Sequence, residues 1–208
     1  MMMDVGALLA LQIDAYARSR VNTYPENYLH EIIKRGQSHV GRMLHYFPYE
    51  SKGDAEDDWC GWHNDHGALT GLTSALYTDK GGKETSVPIK TGGLYAKNRF
   101  ADTARISIPS EMMAFQLGES MQILSGGYLE ATPHCVVRSE ELAGTGVGRN
   151  TFALFMEPDP LEVMQVPSGV DAENVSEKAA YKIPAIKKRW DNGIFFKEFR
   201  KRTIEHYS

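Results

Sequence analysis

Between Trp59 and Pro158 the chain breaks into many short apolar or alternating runs, each closed by Gly, Pro, Asn, Asp or Ser. This is the strongest constraint on its fold. Strands of four to eight residues with regular turn signals build a sandwich or barrel, because each run is too short for a core helix and needs neighbours to pair its backbone. The runs are Leu69–Tyr77, Val87–Lys90, Gly93–Ala96, Ala104–Ile108, Met112–Leu117, Met121–Leu124, His134–Arg138 and Arg149–Met156, and Arg42–Pro48 reads as a further strand ahead of them. Gly81-Gly82, Gly126-Gly127 and the segment Ala143–Gly148 supply turns, and Lys52–Asp58 is an acidic loop. Helical spacing flanks this β-region. Val5, Leu8, Leu9, Ile13 and Tyr16 predict one apolar face. Pro25–Gly36 predicts a second helix, with Pro25 in its first turn and Gly36 as its stop. Near the C-terminus, Ser176–Tyr181 predicts a short helix and Phe195–Tyr207 a longer one.

The 208 residues, 42% of them apolar, suffice for one well-cored domain. The expected organisation is a single domain over 1–208: a helical lead-in over about 1–38, a β-core over about 39–158 and a C-terminal extension with a helix over about 159–208. A net charge of -4 and a pI near 6.0 argue against nucleic acid as a partner. The basic clusters Lys187-Lys188-Arg189 and Arg200-Lys201-Arg202 read as a solvated helix face. Two cysteines, Cys60 and Cys135, make no disulfide framework. No apolar run is long enough to span a membrane and the start lacks a basic leader. A cytoplasmic monomer acting on a small molecule is the expectation.

Chemistry concentrates at Trp62-His63-Asn64-Asp65-His66. On a strand, residues i and i+2 share a face, so His63 and Asp65 can stand side by side. With His134, which opens a later strand, the set is two histidines and one carboxylate, the ligand set of non-haem Fe(II) oxygenases. A surface strand carrying two polar residues is the plain alternative. Arg149, Thr151, Ala153 and Phe155 share one face of another strand. An arginine among apolar neighbours needs an anionic partner: a bound carboxylate, or a structural one such as Glu111 or Glu119. His66, Cys60 and Cys135 sit at odd offsets from their neighbours and are expected to point away. His45 is expected to be packed or hydrogen-bonded. Phosphate-loop, dinucleotide and serine-hydrolase signatures are absent from the sequence.

In order, His63-x-Asp65, His134 and Arg149-x-Thr151 resemble the Fe(II)- and 2-oxoglutarate-dependent dioxygenases, with most similarity to the isopenicillin N synthase-like branch. Ala68-Leu69-Thr70, Pro109–Glu119, Gln122–Gly127 and His134-Cys135-Val136-Val137 extend the resemblance across about Arg42 to Pro158. It implies a mainly β fold, a double-stranded β-helix (jelly roll) core with flanking α-helices. It implies Fe(II) on His63, Asp65 and His134, with 2-oxoglutarate and O2 as co-substrates. Arg149 and Thr151 would hold the far carboxylate of 2-oxoglutarate, a task suited to a bidentate guanidinium. The implied reaction oxidises an unknown small organic molecule and releases succinate and CO2. A 2-oxoglutarate-independent Fe(II) oxidase, or a shortened non-catalytic paralogue, would carry the same residues. Three departures stand out. In His45-Tyr46-Phe47-Pro48, Phe47 occupies the place of a family tyrosine and Tyr46 is expected to point the other way. The Asp65–His134 interval predicts an inserted loop near Thr78–Lys97. Few residues precede the first barrel strand, which points to a shortened form.

Overall fold

A computed structural model describes residues 1–51, 58–98, 100–176 and 183–207. The acidic loop falls almost wholly outside these residues, as does most of the helix expected over Ser176–Tyr181. Two antiparallel sheets dominate. The first has the order β1-β9-β3-β7, formed by β1 (Val40–Tyr46), β9 (Gly148–Met156), β3 (Leu69–Thr73) and β7 (Met113–Leu117). The short β4 (Leu76–Thr78) continues the β3 edge along the start of β9. The second has the order β2-β8-β5-β6, from β2 (Cys60–His63), β8 (His134–Val137), β5 (Gly93–Lys97) and β6 (Thr103–Ile106). A small ribbon of β10 (Val163–Met164) and β11 (Ile194–Phe195) lies apart.

Two irregularities place the site, and both insert one residue into a strand pair. Leu72 faces Ala153 and Leu76 faces Asn150, so four steps on one strand span three on the other. The run expected as one strand, Leu69–Tyr77, is therefore broken after Thr73. In β2, Cys60 faces Val136 and His63 faces His134, three steps against two. That bulge shifts the side-chain phase between Cys60 and His63.

Helices α1 (Met2–Arg20) and α2 (Tyr28–Arg35) pack on the first sheet through Ala10, Ala17, Leu29 and Ile33 against Leu69 and Met156. The buried stripe of α1 is Gly6, Ala10, Asp14 and Ala17 rather than the expected face, and Val5, Leu8 and Tyr16 are exposed. Close approach explains this: a Cβ on Gly6 would meet Met156 Sδ at 2.7 Å. Buried Asp14 accepts the N–H groups of Leu29 and His30 and so caps the first turn of α2. The cap residue of α2 is Asn27, so Pro25 lies ahead of the helix.

Met121–Leu124, expected as a strand, belongs to α3 (Glu119–Leu124), every residue of which is buried. A short helix buried all round shows no 3.6-residue period to read. Val87–Lys90 forms no strand, and Asp79–Gly92 runs as a loop between β4 and β5. The C-terminal part contributes α4 (Glu173–Ser176) and α5 (Phe196–Tyr207), with Phe196, Phe199 and Thr203 buried and Ile204 half exposed. Arg189 departs most from expectation. It is 0% exposed and clamps Glu119 through both terminal nitrogens, at 2.7 and 2.8 Å. Among the described residues no helix is long and apolar enough to cross a membrane.

Candidate metal centre and anion pocket

His63 ends β2 and His134 begins β8, directly opposite in register, so their rings lie 4.2 Å apart. Asp65 is past the end of β2, in the connection to β3, and not on the strand as expected. Its backbone is held by the start of α3, where Glu119 N–H donates to Asp65 O at 2.8 Å. Gly118 permits this approach: a Cβ there would lie 2.1 Å from Gly67 O and 2.9 Å from Asp65 O. The outcome is the grouping that the sequence predicts. Ligand atoms of His63, Asp65 and His134 lie within 4.8 Å of one another. Each histidine Nε2 is 3.9 Å from Asp65 Oδ1.

The remaining atoms of the three side chains are occupied. His63 Nδ1 is 2.8 Å from Gly61 O, and His134 Nδ1 is 2.9 Å from Thr132 O. Each ring is thus set by the carbonyl two residues before it, leaving Nε2 toward the gap. Asp65 Oδ2 accepts from Thr70 Oγ1 at 2.6 Å and from Gln116 Nε2 at 2.7 Å, leaving Oδ1 toward the same gap. Gln116 Nε2 is also 3.0 Å from His134 Nε2. Burial holds the His134 pKa below the ordinary histidine value. Burial pushes the Asp65 carboxyl up, but the His134 charge and the hydrogen bonds from Thr70 and Gln116 outweigh it, so its pKa is lowered. A neutral His134 imidazole and an ionised Asp65 carboxylate are the forms that bind a cation; burial pushes the His63 pKa down, but Cys60, the Gly61 carbonyl and Asp65 outweigh it and raise it to about 9, so a metal would displace a proton there. Two histidines and one carboxylate, all buried or half-buried and oriented by other groups, fit Fe(II) with coordination positions left open.

Both sheets line a cavity of about 610 Å³ around this cluster. Arg149 faces it from β9, 6% exposed, with neither Nε nor Nη1 hydrogen-bonded. The structural carboxylates expected as alternatives do not meet it: Glu119 is taken by Arg189, and Glu111 is exposed beside Ser110. Thr151 follows on the same face and donates its hydroxyl to Thr73 O at 3.2 Å. Tyr46 lies opposite Arg149 in the β1–β9 register, its ring 5.2 Å from the guanidinium carbon. Burial raises the Tyr46 pKa, so the hydroxyl stays protonated. Tyr46, not Phe47, therefore faces the pocket. Phe47 is 74% exposed and packs edge-on against His45. The alternation Arg42, Leu44, Tyr46 was the available signal, since all three line the cavity.

Cys60 is a second correction. The β2 bulge brings its Sγ to 3.6 Å from His63 Nδ1, although an unbroken strand would have turned it away. Cys135 is buried, and burial pushes its thiol up to about 12. His66 stays outside the ligand cluster, 3.3 Å from Glu157 Oε1, though it reaches the cavity wall. His45 is hydrogen-bonded to Asn150, as expected of a mid-strand histidine. Thr70 and Gln116 were missed as partners of Asp65 because nothing local marks them. They share a cross-strand pair in the β3–β7 register.

No protein-family model and no curated protein matches the sequence. Solved structures do match. A 2OG-Fe(II) oxygenase family protein from Caulobacter crescentus superposes with a TM-score of 0.65 at 18% identity, over 98% of this chain and 55% of that one. The chain has the fold of the Fe(II)/2-oxoglutarate oxygenases. A Neurospora crassa protein solved with α-ketoglutarate and thymine matches with a TM-score of 0.58 at 19% identity, over 98% of this chain and 54% of that one. The dioxygenase for auxin oxidation 1 of Arabidopsis thaliana, solved with 2-oxoglutarate, gives 0.52 at 22% identity, over 78% and 53%. The chain spans little more than half the length of these structures. Within the shared fold, His63, Asp65 and His134 lie on the strands and connection just described, with Arg149 across the cavity.

Proposed function

We propose that the protein is an Fe(II)- and 2-oxoglutarate-dependent oxygenase of a small organic molecule. In this reading residues 1–208 act as one domain, and the two sheets are the halves of a double-stranded β-helix. The observation that carries the proposal is Arg149: a buried guanidinium with unused donors, facing the cavity that also holds the His63–Asp65–His134 cluster. A buried cation without a partner is costly, so an anion belongs beside it.

His63 Nε2, His134 Nε2 and Asp65 Oδ1 would hold the metal, and Arg149 would hold the far carboxylate of 2-oxoglutarate. Thr151 would turn its hydroxyl from Thr73 O to the same carboxylate, and the protonated Tyr46 hydroxyl stands beside it as a further donor. When bound, iron with 2-oxoglutarate and O2 supplies the oxidising chemistry, with succinate and CO2 as co-products. The chain's own share is to orient the co-substrate and keep water from the reacting end. Leu72, Leu94, Ile108, Val136 and Phe155 give the cavity wall apolar surface for this.

The test has two parts. Adding 2-oxoglutarate to the anaerobic Fe(II) protein should produce a weak visible charge-transfer band. Admitting O2 should then yield succinate. Iron binding without either signal would remove 2-oxoglutarate from the account and favour an oxidase that uses Arg149 for its own substrate.

A further inference from the structure

We infer that Arg42 is a second anion site in the same cavity, and that it selects a substrate with an apolar body and one negatively charged group. The inference rests on the oxygenase reading for the word substrate, but the site itself stands on separate residues. Arg42, Leu44 and Tyr46 alternate inward along β1 and all line the cavity. Arg42 lies opposite Ala153, while Tyr46 lies opposite Arg149. Four residues of strand separate the two positions, roughly 13 Å at about 3.3 Å per residue. One carboxylate held by Arg149 therefore leaves Arg42 for another anion.

The charge inventory of the cavity isolates Arg42. The charged side chains on its wall are Arg42, Asp65, Arg149 and Glu157. Asp65 is bonded to Thr70 and Gln116 and belongs to the metal cluster. Glu157 is buried between His66, at 3.3 Å, and Arg200, at 3.7 Å. Arg149 is the proposed co-substrate anchor. Arg42 alone is solvent-accessible and forms no hydrogen bond or ion pair among the described residues. Its guanidinium carbon sits 5.1 Å from the Phe155 ring centre. Stacking on that ring restrains the side chain while leaving the edge N–H groups for a carboxylate or phosphate. Leu44, Leu72, Ala153 and Phe155 surround the approach with apolar surface. The recognised chemistry is thus an acid with a hydrocarbon or aromatic body, bound separately from 2-oxoglutarate.

The probes are 3-phenylpropionate and octanoate, with 3-phenylpropionamide and octanamide as neutral counterparts. Each is titrated by calorimetry into the anaerobic Fe(II)–2-oxoglutarate protein, in wild type, Arg42→Gln and Arg42→Lys. A charge-assisted hydrogen bond corresponds to about a 10-fold or larger preference for acid over amide in wild type. Arg42→Gln should lose that preference, Arg42→Lys should recover part of it, and the 2-oxoglutarate affinity of Arg42→Gln should stay within about two-fold of wild type. Equal binding of acids and amides, no binding of either acid, or undiminished acid binding by Arg42→Gln would overturn the inference. If wild type takes no 2-oxoglutarate yet binds the acids through Arg42, the anion site stands and the oxygenase reading falls.

Discussion

Arg149 and Arg189 are both buried, 6% and 0% exposed, and they have opposite surroundings. Arg189 is used up. Its terminal nitrogens bind both oxygens of Glu119, the Thr203 hydroxyl at 2.9 Å and Pro184 O at 2.8 Å. It ties the C-terminal segment to α3, and Glu119 in turn accepts from Asn64, between the two metal-cluster residues of the β2–β3 connection. Arg149 has an aromatic ring on one side and idle donors on the other. Burial of a charge alone is therefore no sign of function. A buried arginine whose terminal nitrogens clasp a carboxylate holds the fold together, and one with two idle donors and no carboxylate beside it among the described residues is suited to a ligand.

The largest effect expected is at neither arginine. Asp65→Ala removes the one carboxylate of the cluster and should abolish Fe(II) binding, measured by metal content after anaerobic loading and desalting. Retained stoichiometric iron would mean that another carboxylate serves. Next is Arg189→Met, which strands the Glu119 carboxylate in the core and should cost about 3–5 kcal/mol of stability, read from denaturant unfolding. Little or no loss would show that the pair is not structural. Arg149→Gln should do the reverse. Its melting temperature should hold or rise, because an unpaired buried cation is gone, while 2-oxoglutarate affinity should fall about 100-fold for the loss of charge-assisted hydrogen bonds. Thr70→Val leaves Asp65 Oδ2 one donor short, and Fe(II) affinity in chelator competition should fall about 10-fold or more. The smallest effect separates Tyr46 from its neighbour. Tyr46→Phe should weaken 2-oxoglutarate by a few-fold, about the worth of one neutral hydrogen bond, and Phe47→Ala should leave it unchanged. The opposite ranking would reverse the assignment of which ring faces inward.

Much of this was legible in the sequence. The β-rich middle and the terminal helices follow from short-run spacing, and the convergence of His63, Asp65 and His134 from the resemblance of their order to the dioxygenase motifs. Part of what escaped has a common cause. Period-two counting assumes unbroken strands, and each of two strand pairs here carries one extra residue. The β2 bulge put Cys60 beside His63, and the break after Thr73 split one expected strand in two. Asp65 reached the cluster from a connection, held by the Gly118 approach, rather than from a strand face. Arg189 sat in a basic run that resembled a solvated face because its partner, Glu119, lies far away in sequence. Tyr46 was misread by one position, and a one-residue error in phase exchanges the inner and outer faces of a strand.

The contrast between the two arginines assigns Arg149, and not Arg189, to the co-substrate of the proposed iron site. The most direct measurement is an anaerobic titration of 2-oxoglutarate into the Fe(II) protein, followed by its visible charge-transfer band, in wild type, Arg149→Gln and Arg149→Lys. The band should grow saturably in wild type, with about 100-fold weaker binding in Arg149→Gln at unchanged iron content and partial recovery in Arg149→Lys. Equal affinity in wild type and Arg149→Gln, with iron bound in both, would contradict that assignment.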